Sequence, residues 1–252
     1  MTLGYGPLLR FGRLQFRLGS AGNVPAFHEI FFQGDYRSLT IHPNDIVLDA
    51  GANAGLFSIW AAPRCRSVIS VEPAPETFGL LNLNKRVNKA TNVFPINKAL
   101  SDHDGYVTMR GDGATFKIEQ QGIMIPSTTI DSLLADLDVS VDVVKMDVEG
   151  AERLCLPGSY LEHVREIVVE THGTEDSVVR ILEKYGFKTS KINFRVPRTV
   201  VNILRQLPYF VGAELATNFM ISRSTLRAFM KHEHLLLRER QPQFQIIYGR
   251  RS

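Results

Sequence analysis

The sequence predicts an α/β fold with a Rossmann-like, doubly wound sheet. Short runs rich in valine and isoleucine alternate with helix-like segments, and the first of these runs leads into a turn with two glycines. Buried parallel strands are typically continuous apolar runs, and regular alternation of strand and helix places helices on both faces of the sheet. With 252 residues, 44% of them hydrophobic, the chain can form one domain with a full core.

Five apolar runs predict the first five strands of this sheet, and four segments of helical periodicity lie between or after them. The predicted strands cover residues 45–50, 67–71, 92–96, 141–146 and 166–170. The predicted helices cover residues 54–62, 75–88, 128–137 and 175–185. Pro75 suits the first turn of its helix, and Gly186 suits a left-handed cap after the last one. Residues 106–110 predict a small hairpin excursion before the fourth strand.

The C-terminal part predicts two further strands separated by about fifty residues. Residues 187–194 are predicted to be the sixth strand and residues 244–248 the last one. This separation is too long for an ordinary hairpin. Residues 200–207 and 225–238 have helical patterns, so a helical insertion at 195–243 is predicted before the last strand.

Charge and cysteine content limit the class of protein. Eleven basic and three acidic residues lie between 191 and 252, although the net charge of the whole chain is only +3. A solvated helical face explains such a pattern, and an anionic partner such as phosphate, nucleic acid or a lipid surface is the alternative. No transmembrane segment or secretory signal is expected, and Cys65 and Cys155 lack metal-binding spacing, so a cytoplasmic protein is expected.

The turn in 46-IVLDAGANAGLFSIWAA-62 is the first candidate binding site. Gly51 and Gly55 are separated by three residues, whereas a dinucleotide fold requires G-x-G-x-x-G, with a glycine at the position of Asn53. Glycine lets the backbone approach a ligand, but the close approach that a pyrophosphate needs is missing. The turn therefore suits a nucleoside without a diphosphate.

Two carboxylates at strand ends specify this ligand further. Glu72 ends the second strand, where a carboxylate can accept hydrogen bonds from both hydroxyls of a ribose. Asp49 ends the first strand and can offer charge to an amino group or orient the turn. A ribose, a cationic amino-acid group and no pyrophosphate together describe S-adenosylmethionine. A tight connection without a ligand is the alternative.

Seven segments resemble the FkbM-type class I methyltransferases and occur in the order that this family shows. They are 29-EIFFQGDYRSL-39, 47-VLDAGANAGLFSIWAA-62, 71-VEPAPETF-78, 99-ALSD-102, 128-TTIDSLL-134, 143-VVKMDVEGAE-152 and 167-IVVETHG-173. The resemblance implies a seven-stranded sheet with an antiparallel last strand and S-adenosylmethionine as the methyl donor. It also implies transfer to a hydroxyl oxygen of a sugar, polyketide or other small molecule.

The resemblance also assigns residues to the cofactor. Donor-binding positions match Asp49, Gly51, Ala52, Asn53 and Glu72, and the prediction extends through Gly55 to Leu56 and Phe57 at the start of the helix. Ser101 and Asp102, after the third strand, match the place where the adenine lies.

Charged residues at the ends of the fourth and fifth strands are the candidate catalytic group. If the fourth strand stayed extended to Gly150, period two would place Lys145, Asp147 and Glu149 on one face. Glu170 and His172 end the next strand. A base that removes the proton of an acceptor hydroxyl is useful for methyl transfer to oxygen, and His172 is the first choice, followed by Asp147 or Glu149. An internal network that pairs Lys145 with Asp147 or Glu170 is the alternative.

A divalent metal is a second alternative at the same strand ends. Asp147, Glu149, Glu170 and His172 offer oxygen and imidazole ligands suited to Mg²⁺ or Mn²⁺, but the prediction favours a site without metal. His232, Glu233 and His234 suit a solvated helical face better than a metal site, because residues two apart on a helix point away from each other.

The predicted organisation is one methyltransferase domain with four parts. They are an N-terminal cap segment (1–40), a donor-binding core (41–194), a helical insertion (195–243), and the last strand with its tail (244–252). The insertion is expected to form a lid that selects the acceptor, with packing or dimerisation as the alternative. The cap segment is expected to cover the donor pocket, touch an anionic surface or, more simply, pack on the core.

The predicted function is methyl transfer from S-adenosylmethionine to a hydroxyl of a small molecule or glycan, with an anionic acceptor included. An RNA methyltransferase is the first alternative because of the basic C-terminal part, although the fourth strand lacks an N-P-P-type or D-P-P-type motif for a flipped base. A non-catalytic nucleotide-binding or interaction protein is the second. Retention of Asp49 and Glu72 argues against it.

Overall fold

The computed structural model describes residues 8–19, 26–27, 30–31, 36–111, 116–192 and 244–251. The predicted insertion at 195–243, its two helices and the stretch 232–234 lie outside the described residues. The strands are β1 (Leu8–Phe11), β2 (Leu14–Arg17), β3 (Ile46–Ala50), β4 (Ser67–Val71), β5 (Val93–Ile96), β6 (Ala99–Leu100), β7 (Gly105–Arg110), β8 (Lys117–Ile118), β9 (Ile123–Thr128), β10 (Val143–Met146), β11 (Glu166–His172), β12 (Lys188–Ile192) and β13 (Phe244–Arg250). The α-helices are α1 (Leu56–Ala61), α2 (Pro75–Val87), α3 (Ile130–Leu137), α4 (Glu152–Cys155) and α5 (Glu175–Lys184).

Seven strands form the main sheet in the order β12, β13, β11, β10, β3, β4 and β5. The five strands from β11 to β5 in this order are parallel to one another. β13 lies between β11 and β12 and is antiparallel to both, as expected of the last strand. Parallel strands end at the same edge of a sheet, so the carboxyl ends of β3, β4, β10 and β11 lie side by side.

Apolar cores cover both faces of the sheet because successive residues of a strand point to opposite sides. Leu48 and Ala50 of β3 enter one core, which includes buried residues of α3, α4 and α5. Val47 enters the other, together with residues of α1 and of the N-terminal segment. Each fully buried valine or leucine contributes about 1.5–3 kcal/mol of hydrophobic stabilisation. Alternation along β3 thus fixes the layers of the fold.

The N-terminal segment packs on the second core and on α2. Phe16 is fully buried, and its ring centroid lies 5.9 Å from that of Phe27 and 5.2 Å from that of Phe31. The side-chain amide of Asn84 on α2 accepts a hydrogen bond from the Arg17 backbone N–H (2.6 Å) and donates one to the Arg17 carbonyl (3.0 Å). This part of the predicted cap segment therefore packs on the core.

Local signals place α1, α2, α3 and α5 within two residues of their predicted bounds, whereas the short helix α4 was not predicted. Pro75 begins α2, and the hydroxyl of Thr129 caps α3 by accepting the backbone N–H of Ser132 at 3.0 Å. Gly186 follows α5 with φ = 84°, the left-handed conformation expected at that position. None of the helices among the described residues is long and apolar enough to cross a bilayer.

A second sheet departs from the prediction. The predicted hairpin excursion is part of a four-stranded sheet in the order β6, β9, β7 and β8. β9 runs antiparallel to β7 and parallel to β6, so it joins the excursion to the short strand that follows β5. β8 and β9 were not predicted because β8 has only two residues and Pro126 interrupts the apolar pattern of β9.

Candidate active site

The loops that follow β3, β4 and β10 line one cavity at the carboxyl edge of the main sheet. Its volume is about 570 Å³, including space open to solvent. Gly51, Asn53 and Glu72 line it from the donor side predicted from sequence, and Asp147 and Glu149 line it from the β10 side. Residues from the two predicted halves of the site therefore share one cavity.

The turn after β3 depends on Gly51. This residue has φ = 74°, and a Cβ atom added to it would lie only 1.7 Å from the carbonyl oxygen of Asp147. The backbone N–H groups of Gly51 and Ala52 both donate to the Val71 carbonyl, at 3.0 and 2.9 Å. The turn is thereby wedged between β4 and β10, and only glycine fits at its first position.

Glu72 lies between two loop backbones at the wall of the cavity. It is 5% exposed, and its two carboxylate oxygens each accept a backbone N–H at 2.8 Å, from Asn53 and from Ala74. Burial raises the pKa of Glu72 to about 7, even though these two hydrogen bonds act in the opposite direction. Each oxygen retains a second lone pair that can accept a ligand hydroxyl.

Asp49 orients the turn and lies beneath it. Its side chain is fully buried, accepts the Ser58 hydroxyl at 2.5 Å and forms an ion pair with Lys145 at 3.2 Å. The Lys145 ammonium also donates to the Gly51 carbonyl at 2.6 Å. Burial alone would lower the pKa of Lys145, but the charges of Asp49 and Asp147 outweigh it and raise that pKa. Asp49 is thus the ion-pair partner of Lys145 in the structure, rather than Asp147 or Glu170.

The remaining predicted donor residues are less directly placed. Leu56 and Phe57 are 2% and 1% exposed and belong to the second core, where the Phe57 ring packs against Tyr36 at 5.1 Å. Neither residue lines the cavity. Gly55, with φ = 79°, ends the turn, and a Cβ added there would lie 2.3 Å from the side chain of Leu81. These three residues pack on the side of the turn away from the cavity and support its shape.

The strand that precedes the predicted adenine residues does reach the cavity. Ala99 and Leu100 line it, whereas Ser101 and Asp102 do not. Ser101 is buried, and Asp102 forms an ion pair with His103 at 2.7 Å on the surface. The structure therefore brings this segment to the site through the residues just before the predicted pair.

The second sheet supplies an apolar wall that sequence reasoning missed. Met109 of β7 and Ile118 of β8 line the cavity, together with Phe116 just before β8. Apolar walls with a few polar groups are typical of small-molecule sites. A short apolar run in a hairpin excursion gives no sequence signal for this role.

The extension of the fourth strand to Gly150 was wrong. β10 ends at Met146, and the Asp147 N–H makes one more ladder bond, to the Ala50 carbonyl at 3.0 Å. Glu149 and Gly150 then adopt positive φ angles of 51° and 96°. Period two does not apply to such a turn, so Lys145, Asp147 and Glu149 do not share a strand face.

His172, at the end of β11, faces carboxylates on both sides of its ring. Its Nδ1 lies 2.9 Å from Oε1 of Glu152, and its Nε2 lies 3.5 Å from Oε2 of Glu149 and 4.0 Å from Oδ1 of Asp147. Burial alone would lower the pKa of His172, but the Glu152 hydrogen bond and the charges of Asp147 and Glu149 outweigh it and raise that pKa. The imidazole is therefore a stronger base than an exposed one.

Glu149 combines backbone strain with an unusual protonation equilibrium. A left-handed conformation costs a residue other than glycine about 1–2 kcal/mol, and such strain is frequent at functional sites. Burial, followed by the charge of Asp147, raises the pKa of Glu149 to about 7. Glu149 therefore titrates close to neutral pH, next to an imidazole whose pKa is raised.

Glu152 is the site residue that sequence reasoning did not assign. It is fully buried at the first position of α4 and accepts the Gly150 N–H at 2.9 Å and the Thr174 hydroxyl at 2.8 Å, besides its contact with His172. Burial alone would raise the pKa of Glu152, but these hydrogen bonds lower it. The last glutamate of 143-VVKMDVEGAE-152 was the available signal.

Three of the four predicted metal ligands approach one another. One ligand atom each from Asp147, Glu170 and His172 lies within 4.8 Å of the others. Oxygen and imidazole ligands of this kind suit a divalent cation. His172 can give the Nε2 lone pair to a cation or to a proton, so the two predicted roles of this residue compete.

Comparison with known proteins gives a consistent picture. Residues 49–189 match the family described as the methyltransferase FkbM domain. The chain is similar to methyltransferase sdnD of Sordaria araneosa, with 26% identity over 66% of this chain and 82% of that protein. It is also similar to the 31-O-demethyl-FK506 methyltransferase FkbM of Streptomyces tacrolimicus, with 25% identity over 75% of this chain and 86% of that protein.

A solved structure has the same fold. The methyltransferase FkbM of Methylobacillus flagellatus KT superposes with a TM-score of 0.50 at 14% identity. The match covers 68% of this chain and 45% of that one. At this identity the likeness concerns the fold alone, a class I methyltransferase-like α/β fold with a mixed sheet.

Proposed function

Because the chain belongs to the FkbM methyltransferase family, we propose that it transfers a methyl group from S-adenosylmethionine to a hydroxyl oxygen of a small molecule or glycan. The observation that carries this proposal is the shared cavity. Glu72, at the donor turn, and Glu149, which contacts His172, line the same space. A donor and an acceptor held there would lie side by side, as direct transfer requires.

The residues of the donor turn fit S-adenosylmethionine. Gly51 leaves the turn without a side chain where it meets β10, and Glu72 offers two carboxylate oxygens at the cavity wall. The wall formed by Met109, Phe116 and Ile118 offers an apolar surface for the adenine ring of S-adenosylmethionine. When bound, S-adenosylmethionine supplies an electrophilic methyl group on a positively charged sulfur.

His172 is the proposed general base. The acceptor oxygen forms its bond to the methyl carbon while the bond between that carbon and sulfur breaks, and the electron pair stays on sulfur. The hydroxyl proton passes to Nε2 of His172, whose pKa is raised by Glu152 and the nearby carboxylates. Asp147 and the ionised form of Glu149 place negative charge beside Nε2 and stabilise the imidazolium that forms.

The charges around His172 favour a neutral acceptor. Asp147, Glu149 and Glu170 place three carboxylates near the ring, and the ammonium of Lys145 is paired with Asp49. An anionic acceptor would be repelled here, so we propose a neutral, hydroxyl-bearing molecule. The name of the Streptomyces relative, a 31-O-demethyl-FK506 methyltransferase, supports methyl transfer to an oxygen.

Calorimetry tests the donor site first. We expect S-adenosylmethionine and S-adenosylhomocysteine to bind in the micromolar range and NAD not to bind, with Glu72→Ala weakening both complexes. A folded protein that binds neither sulfur compound would overturn the proposed function. It would leave the non-catalytic alternative in its place.

Methyl transfer from radiolabelled S-adenosylmethionine tests the base. The acceptor panel contains macrolides, glycosides and transfer RNA. With the acceptor that takes up label, His172→Ala should keep donor affinity and lose tenfold or more of its turnover, whereas His163→Ala, at an exposed site, should retain it. Label in RNA alone would contradict the small-molecule acceptor. Full turnover in His172→Ala would remove this residue from the mechanism.

A further inference from the structure

We propose that Glu152 is a positioning residue that holds the His172 imidazole with its proton on Nδ1 and its Nε2 lone pair toward the acceptor. This inference rests on the proposed function, because it assigns the proton chemistry of the same site. Neither His172 nor Glu152 is among the residues that line the cavity, but Nε2 of His172 faces Asp147 and Glu149, which do line it, whereas Glu152 contacts Nδ1 on the other side of the ring. Glu152 therefore acts on the acceptor only through His172.

Three hydrogen bonds immobilise the Glu152 carboxylate. Oε1 accepts the Gly150 N–H at 2.9 Å and lies 2.9 Å from Nδ1 of His172, while Oε2 accepts the Thr174 hydroxyl at 2.8 Å. The three donors come from the turn after β10, from the end of β11 and from the loop between β11 and α5. Glu152 is fully buried, so no water competes for these oxygens.

The donor and acceptor roles follow from this arrangement. An ionised carboxylate can only accept hydrogen bonds, so Nδ1 must be the donor in the pair. A neutral imidazole carries one proton, and with that proton on Nδ1 the lone pair is on Nε2. Nε2 is the ring atom closest to Glu149 and Asp147, two residues of the cavity wall. Glu152 therefore fixes both the tautomer and the direction of the base.

Other charged groups near His172 do not replace Glu152. Asp147 and Glu149, in the turn after β10, lie on the Nε2 side at 4.0 and 3.5 Å. Glu170 of β11 belongs to the same cluster, and Lys145 of β10 is paired with Asp49. In the described part of the chain, Glu152 is the carboxylate within hydrogen-bond distance of Nδ1. Once the imidazole accepts a proton at Nε2, the opposite charge of Glu152 stabilises it.

A purely structural role for Glu152 is the competing explanation. Its bonds to Gly150 and Thr174 tie two loops together, and loss of those bonds would lower stability without changing the protonation of His172. The glutamine variant separates the two roles. Glu152→Gln keeps the size and an acceptor oxygen but removes the negative charge.

Nitrogen-15 NMR of the full chain in complex with S-adenosylhomocysteine reads the imidazole directly. We expect the neutral His172 ring to carry its proton on Nδ1, and we expect a lower pKa for this ring in Glu152→Gln. Thr174→Val, which removes only the hydrogen bond to Oε2, is the matched control and should retain the Nδ1 proton. A wild-type ring protonated on Nε2, or an unchanged pKa in Glu152→Gln, would overturn the proposal.

The pH dependence of turnover gives the second readout, with the acceptor found in the panel. A weaker base stays neutral to lower pH, so the acid limb of the turnover profile should move to lower pH in Glu152→Gln. The turnover on the plateau should fall by about tenfold at most. S-adenosylhomocysteine affinity should change less than twofold. If the acid limb does not move while S-adenosylhomocysteine affinity is intact, the proposed role of Glu152 is wrong, but the proposed function is not affected. If the wild type does not bind S-adenosylhomocysteine, the proposed methyltransferase function itself is overturned.

Discussion

The two sides of the cavity are built by different means. On the β3 and β4 side, backbone groups make the contacts, since the N–H groups of Gly51 and Ala52 bind a strand carbonyl and that of Asn53 binds Glu72. On the β10 and β11 side, ionisable side chains make them, with His172 among carboxylates. Backbone contacts impose a fixed shape on a ligand, whereas the ionisable side chains respond to pH.

The backbone contacts suit recognition of the methyl donor, which is the same in every reaction, whereas the ionisable side chains suit chemistry on the acceptor. A backbone cradle tolerates little change, because its shape depends on φ angles and close approaches. A cluster of ionisable side chains can move protons, and each of its members tunes the others. The two sides should therefore fail in different ways when single residues are replaced.

The largest effect is expected from Gly51→Ala, on the β3 and β4 side of the cavity, which we call the backbone side. The added Cβ would lie 1.7 Å from the Asp147 carbonyl, so β3 and β10 would have to separate locally. We expect the free energy of unfolding to fall by roughly 4 kcal/mol or more and S-adenosylhomocysteine binding to be lost. Urea unfolding and calorimetry measure the two effects.

Gly186→Ala is the matched control for this substitution. Gly186 also has a positive φ, of 84°, but no atom lies within 4 Å of an added Cβ. Only the backbone conformation is then penalised, by about 1–2 kcal/mol, and ligand affinity should not change. Equal losses of stability in the two variants would show that close approach to β10 is not what requires glycine at position 51.

The next largest effect is expected from pH acting on Glu72, the one titratable residue described here on the backbone side of the cavity wall. Burial raises its pKa to about 7, so the carboxyl is largely protonated at pH 6 and ionised at pH 8. Ribose hydroxyls bind the ionised form better, so S-adenosylhomocysteine affinity should rise roughly tenfold between these pH values. Calorimetry at both pH values measures the change.

Glu72→Gln tests whether this carboxyl is responsible. The amide does not ionise in this range, so its affinity for S-adenosylhomocysteine should be nearly the same at pH 6 and pH 8. A wild-type affinity that does not change with pH would place the ribose away from Glu72. The backbone side would then be insensitive to pH, and the contrast between the two sides would be sharper.

The smallest effect is expected from Glu149→Gln on stability. The pKa of Glu149 is raised to about 7, so the folded protein binds this proton more tightly than the unfolded chain does. Its contribution to stability is therefore lost as pH rises from about 4.5 to 7. Solvent screening keeps the change below about 1 kcal/mol, because 36% of the side chain is exposed.

Urea unfolding at pH 5 and pH 7 measures this slope. Glu149→Gln should lose less stability than the wild type between the two pH values, while the contribution of Glu72 persists in both proteins. The same slope in the variant and the wild type would mean that Glu149 carries no shifted proton. The pH response on the β10 and β11 side would then have to come from its other ionisable groups, His172 among them.

The backbone side was predictable because its determinants are local in sequence. The spacing of Gly51 and Gly55 and the position of Glu72 at a strand end specified the turn, and the structure has both glycines at positive φ. The bounds of β3 and β4 matched the prediction to within one residue. Strands with buried, continuous apolar runs are the elements that periodicity identifies best.

The polar side was only partly predictable because it depends on tertiary contacts. His172 was named from its place at a strand end, but its partner Glu152 lies twenty residues away. Their contact requires both the turn at Glu149 and the register of β11 on β10. Neither the positive φ of Glu149 nor the apolar wall on the second sheet has a local signal, so the sequence could not reveal them.

The position of β13 separates the assembly of the two sides in time. Residues 244–250 are synthesised after all the other described strands, yet they pair along the full length of β11, from Glu166 to His172. The Thr171 hydroxyl also donates to the Gln245 carbonyl at 2.8 Å. On the ribosome, β3, β4 and β10 can therefore meet while β11 still lacks one neighbour. β11, the strand that carries His172, therefore gains its second neighbour only at the end of synthesis, and long-range pairing of this kind is slow.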